Sequence, residues 1–180
     1  MTDRRLLAAL SLLVLAALLW SGVAPYDRAT WALEVAPAVI AMPVLLATGR
    51  RYPLTTLLYV LIALHMLVLI LGGAYTYARV PLGFSIQEAF HLSRNPYDKI
   101  GHFMQGLVPA MVAREVLLQR GYLRSRRRAG FLSVCVDMAI SAVDELIEWW
   151  AGRETGQDAR QFLGPPGDRG EPEDGTVVGG

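Results

Sequence analysis

Five long apolar runs, at residues 6–23, 29–47, 54–78, 100–118 and 129–150, alternate with short polar segments. Each approaches the roughly 20 residues that an α-helix needs to cross a bilayer. None shows the period-2 alternation of a half-buried strand. Inside lipid, only helices or closed barrels satisfy their backbone groups. The pattern therefore predicts an all-α, polytopic bundle of about five membrane-spanning helices over residues 1–152. The first run has the Arg4-Arg5 start and small-residue end (Ala24) of a secretory signal. Pro25 would then begin the mature chain, which disfavours cleavage, so the run reads as an uncleaved first span. Residues 153–180 are different. Gly, Pro and charge fill positions 164–175 (GPPGDRGEPEDG), and this tail is expected to be disordered.

Composition agrees, with 53% hydrophobic residues in 180 and a mean hydropathy of +0.35. A net charge of +1 gives no reason to expect a nucleic-acid partner; the expected partner is the lipid bilayer. Placement of the charges is more informative. Arg4, Arg5, Arg50, Arg51, Arg120, Arg124, Arg126, Arg127 and Arg128 fall before the first run and in alternate loops, and the other loops hold Arg28, Arg79, Arg94 and Lys99. That nine-to-four bias predicts a cytoplasmic N-terminus and an outside tail. The cluster at 124–128 reads as a topology signal, with anionic-lipid binding as the sharper alternative. Cys135 lies alone in an apolar run, so no intramolecular disulfide forms and a cysteine metal site is not expected.

The loop at 79–99 carries its own signals. Ser85-Ile86-Gln87-Glu88 matches a capping box and predicts a short surface helix beginning there. Asn95-Pro96 suits an N-cap followed by the first helical position, with Asp98 in the first turn, so the fourth span is expected to start near Pro96.

Ionisable residues at membrane depth are costly and read as functional by default. Helix four carries His102, Arg114 and Glu115, and helix five carries Asp137, Asp144, Glu145 and Glu148. Glu34 and His65 lie in the second and third runs. By topology, Asp98, His102, Glu145 and Glu148 reach the outer surface, and Glu34 lies roughly 7 Å beneath it. Asp98 and His102 are four apart, so the carboxylate is placed to orient the imidazole. Arg114 and Asp137 both fall roughly 17–18 Å below the outer surface, which predicts a buried ion pair with Glu115 nearby. His65 reads best as a satisfied interior histidine, and Glu34 fits either a structural or a functional role.

The stretch Arg94-Asn95-Pro96-Tyr97-Asp98-Lys99-Ile100-Gly101-His102-Phe103, then Gly106, Pro109 and Arg114-Glu115, resembles the YjdF-like family of bacterial inner-membrane proteins (domain of unknown function 2238). So do Ser141-Ala142, Glu145-Leu146-Ile147-Glu148-Trp149-Trp150 and Phe162-Leu163-Gly164. The resemblance implies a multi-pass protein of the bacterial inner membrane with no assigned activity. It carries over Arg94, Asn95, Asp98, His102, Arg114, Glu115, Glu145 and Glu148. Family members continue after Phe-Leu-Gly with a Thr-Gln-Gly-Asp segment, an acidic tryptophan stretch and one more apolar helix. Here Gly164-Pro165-Pro166-Gly167-Asp168 follows, which by the family pattern is the tail of a truncated or frameshifted member.

Three function classes follow. A membrane protein with a periplasmic His/carboxylate cluster would, as an enzyme, do metal-assisted or acid–base chemistry on a lipid or envelope substrate. His102 would be base or ligand, Asp98 its orienter, and Glu145 and Glu148 acids or ligands, with a divalent metal as the cofactor such a set would take. A small proton-coupled transporter would instead use Glu34, His65, Arg114 and Asp137. A passive partner subunit would use the polar residues only to join helices.

Overall fold

The computed structural model describes residues 4–154; the side chains of Glu148, Ala151, Gly152 and Glu154 and everything from residue 155 onward, including the expected tail, lie outside that description. Six helices run in order: α1 (Arg4–Val23), α2 (Arg28–Thr48), α3 (Thr56–Tyr75), α4 (Pro81–Ala89), α5 (Tyr97–Gln119) and α6 (Arg126–Glu154). The five long runs of the sequence are α1, α2, α3, α5 and α6. α1, α2 and α3 are long and apolar enough to cross a membrane. α5 and α6, at 23 and 29 residues, have the length. Their ionisable residues make them less apolar.

α3 is the hub of residues 1–142, packing against α1, α2 and α5. Between helices in lipid, close packing of small and apolar side chains replaces the hydrophobic effect as the cohesive force. Ala38, Ala63, Gly72, Gly73 and Ala74 accordingly lie buried with Leu58, Ile62, Met66 and Ile70. Leu12, Leu19, Ile40 and Leu46 of α1 and α2 are exposed, as lipid-facing residues must be. Trp31 Nε1 donates to Ser21 Oγ at 3.0 Å, and that hydroxyl donates to Leu18 O at 2.9 Å, tying α2 to α1. The amide of Tyr26 donates to Ala74 O at 3.0 Å, tying the α1–α2 loop to the end of α3.

Local chemistry sets the helix ends. Asp27 caps α2 by accepting the Thr30 amide at 2.7 Å. α3 stops where Thr76 and Tyr77 take φ of 53° and 30°. α4 starts at Pro81, with Val80 as its N-cap, rather than at the expected Ser85. The reason is that proline's fixed φ and missing N–H suit a first helical position, so the helix begins one turn earlier. Ser85 then lies inside it, its hydroxyl donating to Pro81 O at 3.4 Å.

The chain divides into two compact units, residues 1–142 and 143–180. What is described of the second is the last part of α6. Its Leu146, Ile147, Trp149 and Trp150 are exposed, and Arg153 stands 5.0 Å over the Trp149 ring.

Candidate functional site

The start of α5 is built around one asparagine. Asn95 Nδ2 donates to Ala78 O (3.2 Å) and Val80 O (3.1 Å), and its Oδ1 accepts the Tyr97 amide at 3.0 Å. α4 presses Gly83 onto this side chain so closely that a Cβ there would overlap it. The next anchor is Tyr97, 1% exposed, whose hydroxyl donates to Val68 O of α3 at 3.3 Å. Its ring lies 5.9 Å from that of Tyr77, and a Cβ on Gly101 would stand 2.7 Å from Tyr77 Cε1. Thus Asn95, Tyr97 and Gly101 fix where α5 begins and how it meets α3. Sequence reasoning placed Asn95 as the N-cap, but the cap is Pro96 and Asn95 acts from one residue outside. Tyr97 and Tyr77 were missed as anchors. The two-residue step from Asn95 to Tyr97 is the spacing of an Asx-turn, which was the available signal.

His102 follows just over one turn after Tyr97. It is exposed and makes no hydrogen bond among the described residues. The expected Asp98–His102 bond is not formed. Asp98 instead faces Arg94 at 3.5 Å and accepts the Lys99 amide at 2.8 Å. A fixed guanidinium charge four residues earlier and a first-turn amide together hold the carboxylate away from the imidazole.

At the other end of α5, Glu115 reaches α3. Its carboxylate accepts the Thr55 amide at 2.6 Å and the Thr55 hydroxyl at 3.0 Å, and Gln119 Nε2 donates to it at 2.9 Å. Thr55 is the N-cap of α3 and makes no side-chain cap of its own. Glu115 therefore supplies from another helix the back-bond that a capping box takes from its own third residue. The expected Arg114–Asp137 ion pair is not formed. Arg114 is exposed, and Asp137 Oδ1 is buried without a hydrogen-bond partner. Adjacent helical residues point about 100° apart, so once Glu115 is turned to Thr55, Arg114 is carried to a different face. Asp137 lies instead beside Gly106, where a Cβ would sit 3.7 Å from its Oδ2.

The remaining polar candidates stand on α3, α2 and α6. His65 Nε2 is buried without a partner, so the expected satisfied histidine is not what the structure holds. Glu34 is partly buried against Gly73, at 3.0 Å from where its Cβ would be. Glu145 is exposed, Asp144 partly buried, and Glu148 falls outside the described side chains. No group of three or more His, Cys, Asp or Glu positioned for a metal ion occurs among the described residues.

Two loop groups are electrostatically tuned. The Thr30 amide and hydroxyl hold the Asp27 carboxyl below its ordinary range. The Tyr122 hydrogen bond, with Arg51 and Arg120 beside it, lowers the Tyr52 phenol. Arg120 sits 4.4 Å over the Tyr52 ring, joining the α2–α3 and α5–α6 loops.

Comparison with known proteins bears on the whole chain. Residues 6–174 match the family model described as predicted membrane protein (DUF2238). The inner membrane protein YjdF of Escherichia coli (strain K12) is 57% identical over 152 residues, covering 84% of this chain and 73% of that protein. No solved structure matches. With its helical bundle and a family match across most of its length, the chain belongs to the DUF2238 family and is a multi-pass protein of the bacterial inner membrane.

Proposed function

We propose that this inner-membrane protein presents His102 at its periplasmic face as a general acid or base acting on a lipid or envelope substrate. The observation that supports the reading is the contrast at the start of α5. Asn95 and the buried Tyr97 lock the helix in place, while His102 stays exposed and unbonded. An imidazole can both donate and accept a proton, and a rigid element holds it in position for the transfer. Asp98 positions the helix start through Arg94 rather than orienting the imidazole.

The test compares envelope lipids and glycans by mass spectrometry between a deletion strain and strains carrying the wild type or His102→Ala. On this reading the deletion shifts the profile, and His102→Ala reproduces the shift although the purified variant melts like the wild type. A His102→Ala strain with a wild-type profile removes the proposal. A transport reading draws on the two buried, unpartnered atoms His65 Nε2 and Asp137 Oδ1. It expects Asp137→Asn, and not His102→Ala, to abolish dissipation of a pH gradient in proteoliposomes.

A further inference from the structure

We propose that α1, α2 and α3 hold one anionic phospholipid of the cytoplasmic leaflet in the cleft between their inner ends. The cleft encloses about 340 Å³, a volume within the ~300–1,000 Å³ of small-molecule sites. Its walls are apolar, with Leu10 and Val14 from α1, Met42 from α2, and Ile62 and Met66 from α3. Its mouth carries Arg4, the first residue of α1, and Arg50, just past the end of α2. Among the described residues no carboxylate lines it. Neither arginine makes an ion pair among the described residues.

Depth matches one leaflet. Val14 lies ten residues below Arg4 on α1, roughly 15 Å. Met66 lies ten residues past the start of α3 at Thr56, which is the same depth. Half of a ~30 Å hydrocarbon core is also ~15 Å. Two guanidiniums at the headgroup level therefore stand over a slot that ends near the bilayer midplane. Tyr59, at the mouth, accepts the Leu54 amide at 3.3 Å and keeps its own phenolic proton to donate. A free anion would use only the mouth, and a neutral lipid only the slot. An amphiphile with an anionic phosphate and an acyl chain uses both, and basic pockets between helices on the cytoplasmic side are where such headgroups bind. This inference does not depend on the role of His102, which lies at the opposite end of the bundle.

The full-length protein, in a neutral detergent, is titrated separately with phosphatidylglycerol, phosphatidylcholine and inorganic phosphate, and bound lipid is counted by native mass spectrometry. One phosphatidylglycerol per chain is expected, with phosphatidylcholine at least about tenfold weaker and no displacement by inorganic phosphate. Arg4→Gln with Arg50→Gln should weaken phosphatidylglycerol on the order of 30-fold. Arg5 and Arg51 remain to keep the topology. Ser11→Leu, which fills the slot while leaving both arginines, should weaken it as well. Arg126→Gln with Arg128→Gln, charges in the α5–α6 region outside the cleft, should leave binding unchanged. Equal binding of the two lipids overturns the proposal, as does full binding by either cleft variant. Displacement by inorganic phosphate alone marks a free-anion site and overturns it too.

Discussion

Asn95 satisfies two carbonyls and one amide with a single side chain, and that economy makes it sensitive to its neighbour Gly83. A methyl group at Gly83 must displace the asparagine, which breaks two part-buried hydrogen bonds, to Val80 O and from the Tyr97 amide, at a cost of about 1 kcal/mol each. Gly83→Ala and Asn95→Ala are therefore expected to destabilise the purified protein singly, and the double variant by much less than their sum. Thermal unfolding in detergent measures the coupling, and strict additivity would show that the two do not meet. At the head of α2, Asp27 accepts the Thr30 amide, and its carboxyl is held below its usual range. The sign follows from linkage: a depressed folded-state pKa contributes stability above the unfolded value, and this is lost as pH falls through the folded one. Asp27→Ala should cost about 1 kcal/mol at neutral pH. Asp27→Asn, an equally good cap, should cost little and remove this residue's share of the acid sensitivity. An Asp27→Asn variant with the wild-type acid profile would assign that sensitivity elsewhere.

Elements show how far sequence reasoning reached and where it stopped. Length and apolarity placed α1, α2, α3, α5 and α6, because a bilayer demands continuous apolar helices whatever their partners. The polar contacts were harder to read. Spacing put Asp98 beside His102, which is true along the helix axis. Depth put Arg114 level with Asp137, which lies instead beside Gly106, roughly 12 Å from Arg114 along α5. Neither says which way a side chain turns once a competitor is present. Arg94 took Asp98. On α5, Thr55, sixty residues earlier in the chain, took Glu115, a choice no local pattern records. The Glu115–Thr55 contact makes its own prediction. It holds the first amide of the α3 cap, so Glu115→Ala should speed hydrogen exchange at residues 55–58 and lower stability by about 1 kcal/mol, since the site is exposed. Glu115→Gln, which keeps one acceptor, should give an intermediate exchange rate. Unchanged exchange in both variants would make the contact incidental to the α3 start.

For the molecule as a whole, every reading of function depends on which face lies in the cytoplasm. The contacts sort the loops without reference to a membrane. Arg120 over Tyr52 and Glu115 on Thr55 join the α2–α3 loop to the end of α5. Tyr26 on Ala74, and Arg79 at 3.9 Å over the Tyr26 ring, join the α1–α2 loop to the end of α3. One face of this unit therefore collects Arg4, Arg5, Arg50, Arg51, Arg120 and the 124–128 cluster, and the other holds Arg28, Arg79, Arg94 and Lys99. Positive charge is retained on the cytoplasmic side during insertion, and these loops are short enough for the rule to apply. Reporters fused after Arg51 and after Arg128 should be active only as cytoplasmic reporters, and a reporter after Arg79 only as a periplasmic one. Moving the balance should move the protein. Replacing Arg4, Arg5, Arg50 and Arg51 together by Gln leaves five arginines on that face against four charges on the other, and a mixed population of orientations is expected. Fusions reporting the reverse orientation in the unaltered chain would put His102 in the cytoplasm and the Arg4–Arg50 cleft in the outer leaflet. Both the proposed periplasmic chemistry and the proposed lipid would then have to be abandoned.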